Sequence, residues 1–372
     1  MRKFFTIGLA LGSVMASTAM FGSGIASASI RTAYVAPNGS WHKADNSCRT
    51  AGFSSINSAI SQVSAGGTVV VCRGVYHTQA VITKSLALIG RPGAVINAKG
   101  QKPVHGLPVP GGSGVVVLAT HHVLVRGFVI INAKFDAVLV AKSTNVQVSE
   151  NILEHNGDVG VDFNGTSYSI ATRNISRFNT GGGFLVADDV GRSTGDAVTW
   201  NVASRNPGGC GVIVAGHSTA GVTKNFVAHN LLTFNGTNKK MPGAGVVIAS
   251  EVPRETVADN TVYANTIYGN GIAGVTIHSH VSGQDLNGNK IIANNIGTNN
   301  TVGDTIGLGP PVTNQPDLRT TGILVGASSK LHVLISSNSI HDNYYGIFIE
   351  GRVNPTLSHN HFHNVTVAVK IT

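Results

Sequence analysis

The feature that most constrains this chain is a repeat of about 23 residues. A small residue followed by three others, the first and third of them apolar, recurs at 114–117, 137–140, 160–163, 183–186, 211–214, 245–248, 274–277, 322–325, 346–349 and 368–371. A constant base period with occasional insertions is typical of a solenoid, in which each repeat contributes one coil. The apolar residues alternate with period two and most are β-branched, so the coils are predicted to consist of strands rather than helices.

A second repeat, Asn-x4-Asn, accompanies the first. Its copies begin at Asn151, Asn174, Asn201, Asn225, Asn260, Asn289 and Asn338. Successive coils of stacked strands lie about 4.8 Å apart, so amides placed at the same turn are predicted to form one ladder along the axis. Asparagine also tolerates the left-handed backbone of tight turns. We interpret these asparagines as structural.

The N-terminal end of the solenoid is predicted to carry a capping helix, because an open strand edge invites aggregation. Apolar residues at 53, 56, 59, 60 and 63 have the spacing of an amphipathic helix, with Ser54 or Ser55 near its N-cap. Gly66 and Gly67 are expected to end this helix, and the first strand is expected to begin at Thr68.

The first 28 residues have the three parts of a secretory signal. Basic residues Arg2 and Lys3 precede an apolar stretch at 4–19, and small residues at 26–28 form an A-x-A cleavage site. A transmembrane anchor is the alternative, but glycine and serine interrupt the stretch before the roughly 20 residues that span a bilayer. The sequence predicts a signal peptide at 1–28, one domain at 29–372, no membrane span after cleavage, and a secreted, periplasmic or cell-surface location.

Composition narrows the class of partner. With 12% charged and 42% hydrophobic residues, the chain is not of the disordered class. Removal of Arg2 and Lys3 from the 26 basic residues leaves 24 against 17 acidic ones, a net charge of +7. This balance favours an acidic polysaccharide or cell-envelope glycan as partner. Nucleic acid is not expected, since there is no Lys/Arg-rich run and no regular series of stacking aromatic residues.

The chain contains three cysteines. In an exported protein, a disulfide between Cys48 and Cys72 is expected, and it would tie the segment before the helix to an early strand. Cys210 would then be a buried free thiol at the start of a strand. The alternative is that all three cysteines are unpaired.

The capping helix, the following sequence GGTVVVCRGVY and the Asn-rich coils together resemble the pectin-lyase-like superfamily over residues 30–372. The resemblance implies an all-β fold, a single right-handed parallel β-helix of about ten coils. Members include polysaccharide lyases, epimerases, polygalacturonases, adhesins and NosD-like metal-binding proteins.

The leading hypothesis for the function is a secreted protein that binds or modifies an acidic polysaccharide, as a lyase, epimerase or hydrolase. The alternatives are a non-catalytic matrix-binding solenoid and a periplasmic metal-binding protein.

One row of polar residues is the candidate catalytic site. Residues at equal offsets from the repeat stack on neighbouring coils, and the position three residues past each strand is occupied by Thr166, Asp189, His217, Glu251 and His280. Asp188 adjoins this row, and the residues predicted to be catalytic are Asp188, Asp189, His217, Glu251 and His280. Carboxylates and imidazoles are the groups that general acid–base catalysis requires. Asp189 and Glu251 are predicted to be acid/base carboxylates, with His217 as proton carrier or ligand. The alternative is a row of solvated turn residues.

A second cluster is a candidate metal site. His359, His361 and His363 alternate along one strand, and alternation places side chains on one face. Alignment of Asn360 with Asn338 puts His341 one coil away from His363. His341, His361 and His363 are therefore predicted to bind a divalent metal, the one cofactor that the sequence suggests. The alternative is an exposed polar face.

The middle residue of each repeat strand is expected to point outward. These residues are mostly apolar: Val116, Leu139, Asp162, Leu185, Ile213, Val247, Thr276, Leu324 and Phe348. An apolar outer stripe indicates that something covers it. The insertion at 298–320 is one candidate cover, and a second subunit of an oligomer is the other.

Overall fold

The computed structural model of the protein describes residues 30–40, 45–102, 112–302 and 319–372. The predicted signal peptide and most of the insertion at 298–320 lie outside the described residues. Among those described, one helix, α1 (Ile56–Gln62), accompanies a series of strands, and no helix is long and apolar enough to cross a membrane.

The strands, in chain order, are β1 (Ile30–Val35), β2 (Val63–Val71), β3 (Gly74–Tyr76), β4 (Ala80–Ile82), β5 (Leu86–Gly90), β6 (Ala94–Asn97), β7 (Val115–Leu118), β8 (His121–Arg126), β9 (Val129–Ile131), β10 (Val138–Ala141), β11 (Thr144–Ser149), β12 (Ile152–Glu154), β13 (Val159–Asn164), β14 (Ile170–Thr172), β15 (Ile175–Arg177), β16 (Gly182–Ala187), β17 (Ser193–Thr194), β18 (Ala197–Thr199), β19 (Val202–Ser204), β20 (Cys210–Gly216), β21 (Val222–Thr223), β22 (Phe226–Ala228), β23 (Leu231–Thr233), β24 (Val246–Ser250), β25 (Thr261–Tyr263), β26 (Thr266–Tyr268), β27 (Val275–Ser279), β28 (Lys290–Ile292), β29 (Asn295–Ile296), β30 (Thr321–Ser336), β31 (Ser339–Ser358) and β32 (His361–Ile371).

All of these strands except β17 and β21, which pair only with each other, form three parallel sheets that run the length of a β-helix. Sheet A follows the order β4-β7-β10-β13-β16-β20-β24-β27-β30-β31-β32. Sheet B follows β1-β2-β5-β8-β11-β14-β18-β22-β25-β28-β30-β31. Sheet C follows β3-β6-β9-β12-β15-β19-β23-β26-β29-β31-β32. The inward side chains of all three sheets, mostly Val, Ile and Leu, make one continuous core.

The predicted register of the repeat is confirmed in sheet A. Each repeat strand pairs with the next at the aligned position, as Val138 does with Val161, and Val212 with Val246. The 48-residue step is also correct, since Val275 pairs with Ile323. The Val/Ile alternation fixes this register because a slip of one residue would turn every buried side chain outward.

The asparagines form three ladders rather than the predicted one. The first ladder contains Asn151, Asn174, Asn201, Asn230, Asn265, Asn294, Asn338 and Asn360. The second contains Asn156, Asn179, Asn206, Asn235, Asn270, Asn299 and Asn343. The third runs from Ser169 through Asp196, Asn225 and Asn260 to Asn289. The alignment of Asn225 with Asn201 was wrong. Later coils contain three asparagines spaced by five residues, so the two-asparagine motif fits at two offsets.

The N-terminal cap is a shorter helix than the spacing predicted. α1 begins after Ser55, whose hydroxyl accepts a hydrogen bond from the Ser58 amide, and β2 begins at Val63, before the two glycines. Cys48 and Cys72 are joined by a disulfide. Cys210 is a buried free thiol at the first position of β20.

The outer stripe of sheet A is largely buried within the single chain. Leu139 packs with Leu118 and Val190, and the Tyr345 ring meets the Phe348 ring edge to face. Val116 and Leu324 are also buried. The apolar surface that suggested a second subunit is therefore not exposed at these positions. The other proposed cover, the insertion, falls mostly outside the described residues.

Candidate active site

A cleft of about 370 Å³ lies on the outer face of sheet A. Leu185, Ile213 and Val247, at the stripe position of β16, β20 and β24, form its apolar floor. Its polar wall follows the carboxyl ends of β20, β24 and β27 and contains His217, Glu251, His278 and His280. Parallel strands end at the same edge of a sheet, so residues far apart in the sequence meet there.

His217 of this wall forms a close pair with Asp189. The Asp189 Oδ1 lies 3.0 Å from His217 Nδ1, and Asn164 donates a hydrogen bond of 2.5 Å to the other Asp189 oxygen. The bond to His217 is the main reason why the pKa of Asp189 is lowered. The same bond, with the charges of Asp189 and Glu251, raises the pKa of His217 against the opposing effect of burial. The pair therefore favours an ionised carboxylate beside a protonated imidazole.

Glu251 lies on the other side of the same imidazole. Its Oε1 is 3.9 Å from His217 Nε2, beyond hydrogen-bond distance, and its side chain is half exposed. The carboxylates of Asp189 and Glu251 thus flank one imidazole from neighbouring coils, as the row predicted.

His278 and His280 form a second pair at the end of β27. Their Nε2 atoms are 3.2 Å apart, so one ring donates to the other. Burial lowers the pKa of His278 to about 3, so that ring is neutral. Burial is also the main cause that lowers the pKa of His280, which Glu251 partly offsets. The His278 Nδ1 is buried and has no hydrogen-bond partner among the described residues.

Asp188 does not face the cleft. It is fully buried, and its carboxylate accepts hydrogen bonds from the backbone amides of His217, Ser218 and Gly221 and from the Ser218 hydroxyl. Its role in this structure is to hold the turn that carries His217. We therefore correct the catalytic role predicted for it.

Thr166 also does not belong to the row, and Asn164 takes its place beside Asp189. The Thr166 hydroxyl donates instead to the buried Asp196, 2.7 Å away. The coil that contains Thr166 turns sooner after its strand than the coils with insertions. A fixed offset of three residues therefore passes beyond the position that faces Asp189.

Glu255 is a residue that sequence reasoning missed. It is fully buried, and one of its oxygens accepts hydrogen bonds from the Glu251 and Val252 amides. The other oxygen has no hydrogen-bond partner within the part of the chain that the structure describes. Burial raises the pKa of Glu255 to about 7. Its carboxyl group lies against Gly216, where a Cβ would overlap it. Glu255 lies in an inserted turn, so no repeat offset points to it.

Three acidic residues lie toward the preceding coils. Asp158 lines the far side of the cleft, and the buried Asp162 and Asp136 interact with it electrostatically. Burial is the main cause that raises the pKa of each carboxyl, that of Asp136 to about 7. This part of the site therefore carries less negative charge at neutral pH than its sequence implies.

The predicted metal site is not assembled. His341 pairs with His363 as expected. His361 instead pairs with Ser339, two residues before His341 in the strand. The His341 ring is engaged by Asp342 at Nδ1 and by Asn295 at Nε2. His359 has a left-handed backbone and precedes the strand, so it does not share the alternating face. Within the four described ranges, no group of three or more His, Cys, Asp or Glu is placed to hold a metal ion.

Comparisons with known proteins agree with this architecture. The family described as "Right handed beta helix region" matches residues 96–296 and 298–372. The A-module of the mannuronan C-5 epimerase AlgE4 of Azotobacter vinelandii is 17% identical, with a TM-score of 0.55 over 82% of this chain and 89% of that one. An alginate lyase from Paenibacillus sp. is 13% identical, with a TM-score of 0.52 over 85% and 96% of the two chains.

A surface adhesin of Streptococcus pneumoniae, PfbA, has the same fold. It is 12% identical, with a TM-score of 0.50 over 84% of this chain and 86% of that one. No curated protein matches the chain by sequence. Similarities at such low identity show the fold alone, whereas the family match extends over most of the chain. The protein therefore belongs to the right-handed β-helix family, which also confirms the predicted handedness and the resemblance to pectin-lyase-like proteins.

Proposed function

We propose that this protein modifies an acidic polysaccharide by proton transfer at a uronate unit, as a lyase or an epimerase. One observation carries the proposal: two histidines of one cleft have pKa values shifted in opposite directions, that of His217 upward and that of His280 downward. Titratable groups whose environments push their pKa values apart are the usual mark of an acid and a base that work together. The surroundings therefore favour the protonated form of His217 and the neutral form of His280.

The two reactions need the same pair of groups. In both, the neutral His280 takes the proton from the carbon that bears the uronate carboxylate. In the lyase reaction the electron pair forms a carbon–carbon double bond, the adjacent glycosidic bond breaks, and His217 protonates the departing oxygen. In the epimerase reaction His217 returns a proton to the same carbon from the opposite face.

The surrounding residues have supporting roles in this proposal. Asp189 stays ionised and holds His217 through Nδ1, as the third member of a catalytic triad orients a histidine. His217 and His280 directly follow β20 and β27, which are two coils apart, and Glu251 on the coil between them interacts with both imidazoles. Glu255, largely neutral below pH 7, is a reserve proton donor beneath His217.

The choice of substrate rests on charge and on the comparisons. A protonated His217 attracts a substrate carboxylate, and the positive net charge of the whole chain favours acidic polymers. Two of the structural neighbours are named for their action on mannuronan and alginate, both uronate polymers. We further propose that the protein works outside the cytoplasm, where such polymers occur, after removal of residues 1–28.

The test is an activity panel of polygalacturonate, polymannuronate and polyguluronate. Ultraviolet absorbance detects the double bond made by a lyase, and deuterium uptake from D₂O detects epimerisation. Titration of reducing ends detects hydrolysis. We expect double-bond formation or deuterium uptake with at least one polymer.

Variants assign the chemistry to the cleft. His217→Ala and His280→Ala should each lower the rate by about 100-fold or more, the usual contribution of a positioned acid or base. His229→Ala is the matched control, because this histidine stacks on Trp200 far from the cleft and its loss should leave the rate unchanged. Activity that survives both cleft substitutions would contradict the proposal.

A non-catalytic binding protein is the second candidate. The apolar floor made by Leu185, Ile213 and Val247 suits adhesion to a sugar face, and one structural neighbour is an adhesin. If no polymer yields product or takes up deuterium, but one binds and His217→Ala weakens that binding, the protein is a binder. Hydrolysis would be recognised by new reducing ends without ultraviolet absorbance.

A further inference from the structure

A second cavity, of about 530 Å³, lies on sheet C, away from the cleft on sheet A. Two half-exposed aromatic rings, Phe234 and Tyr268, meet edge to face on one side of it. His341, Asp342 and polar side chains of Asn295 and Thr298 lie on the other side. We call this cavity the slot.

The slot exists because two stacked rows of side chains are each interrupted by one glycine. Gly297 occupies the outward position where preceding coils carry Glu154, Arg177, Ser204, Thr233 and Tyr268, and the following coils His341 and His363. Gly269 occupies the adjoining turn position, where other coils carry His155, Phe178, Arg205, Phe234, Thr298 and Asp342.

Backbone geometry does not require either glycine. Phe178 and Phe234 have the same left-handed backbone as Gly269, and Gly297 has no positive φ. What both positions lack is a side chain. A Cβ at Gly269 would approach the Phe234 ring to 2.6 Å, and one at Gly297 would approach the His341 ring to 3.1 Å. The absence of side chains here is therefore what leaves the slot open.

The size of the slot suits one sugar ring. Tyr268 and His341 are two coils apart, about 10 Å. A ring packed between two others needs about 3.5–4 Å on each side, so one ring fits. The C–H faces of a pyranose pack well on the negative faces of aromatic side chains.

The polar side of the slot favours a neutral sugar. Asp342 is half exposed, and its carboxylate accepts hydrogen bonds from Asn364 and His341. These bonds lower the pKa of Asp342, so the group stays ionised. A carboxylate has about four acceptor positions, and the remaining ones can accept sugar hydroxyls. The same charge repels a uronate carboxylate.

We propose that the slot binds a neutral pyranose unit of a glycan. It would hold the protein on a neutral polymer while the cleft acts on an acidic one. This inference does not depend on the proposed chemistry of the cleft, because the two sites lie on different sheets and select opposite charges.

The test is a binding measurement by calorimetry with the full chain. The probes are neutral hexasaccharides of glucose, mannose, galactose, xylose and N-acetylglucosamine, with hexamers of mannuronate and galacturonate as the charged arm. Tyr268→Ala removes one wall and Gly297→Thr fills the slot. Each should weaken binding of the best neutral probe about tenfold or more, which corresponds to about 1.4 kcal/mol.

Two controls make the result specific. Trp200→Ala removes an exposed aromatic ring outside the slot, and His217→Ala alters only the cleft. Both should leave binding within about twofold of the wild type. Tyr268 is half exposed, so Tyr268→Ala tests the slot even if Gly297→Thr does not fold. The proposal is overturned if no neutral probe binds, if the charged hexamers depend on Tyr268 instead, or if His217→Ala abolishes neutral-sugar binding.

Discussion

Replacement of Asp196 by asparagine should stabilise the protein at alkaline pH. Asp196 is buried in the third ladder, in the position that Asn225 and Asn260 occupy on the next coils. Its Oδ1 accepts a hydrogen bond from the Ser169 amide, which an asparagine oxygen can also accept. An asparagine would place its amide nitrogen where Oδ2 now accepts the Thr166 hydroxyl, and that hydroxyl can rotate to accept a hydrogen bond instead.

The magnitude follows from the pKa of this carboxyl. Burial raises the pKa of Asp196 to about 7, whereas an aspartate in an unfolded chain titrates near 3.9. The native state therefore binds this proton more tightly than the unfolded state. The resulting stabilisation is complete below about pH 4 and is lost as the pH rises through about 7. Three pH units at about 1.4 kcal/mol each give about 4 kcal/mol as the upper limit.

The assay is urea unfolding of the wild type and Asp196→Asn at pH 4, 6 and 8. The stability difference in favour of the variant should be smallest at pH 4 and should grow by about 2–4 kcal/mol at pH 8. Asp285→Asn, at an exposed aspartate that forms a β-bridge with Thr256, is the matched control, and its stability difference from the wild type should change little with pH. A difference that does not grow with pH, or a variant less stable than wild type at pH 8, would refute the reasoning.

Three further results are expected. Asn230→Ala removes four side-chain hydrogen bonds from the first ladder and leaves buried groups unpaired. Urea unfolding should therefore show a free energy of unfolding lower by about 3 kcal/mol or more, against under about 1 kcal/mol for the exposed Asn238→Ala. Equal losses in the two variants would contradict the stabilising role of the ladder. Gly216→Ala places a Cβ on the Glu255 carboxyl and should lower the free energy of unfolding by about 1–3 kcal/mol in the same assay. An unchanged urea midpoint would refute the close contact between Gly216 and Glu255. Reduction of the disulfide frees a loop of 24 residues and should lower the free energy of unfolding by about 3 kcal/mol. An unchanged melting temperature after reduction would contradict this contribution of the disulfide to stability.

The coil register was predictable from sequence because burial enforces it. A one-residue slip in sheet A would expose Val212 and Val246 and bury polar neighbours, so only one alignment satisfies the alternation. The asparagines carry no such constraint. A spacing of five residues that repeats within one coil is satisfied at two offsets, and only the hydrogen bond from Asn201 to Asn230 identifies the correct one.

The candidate site was predictable only for residues that lie at one fixed offset from the ends of their strands, whatever the length of the inserted turns that follow. Asp189, His217, Glu251 and His280 follow their strands directly, and a fixed offset finds all four. Glu255 escapes the same rule because an inserted turn brings it back under the cleft. Burial also changes the charge states that the residue types alone suggest. It makes the His278 ring neutral and raises the pKa of Glu255 to about 7.

The proposed chemistry requires that His217 binds its proton more tightly than His280 does in the same cleft. The most direct measurement is an NMR titration of the intact protein with labelled histidine, with His217→Ala and His280→Ala used to assign the two signals. We expect His280 to titrate below the ordinary histidine pKa of about 6.5 and His217 to titrate above it. If the two signals titrate together, or if His280 is the later one to lose its proton, the acid–base assignment is wrong.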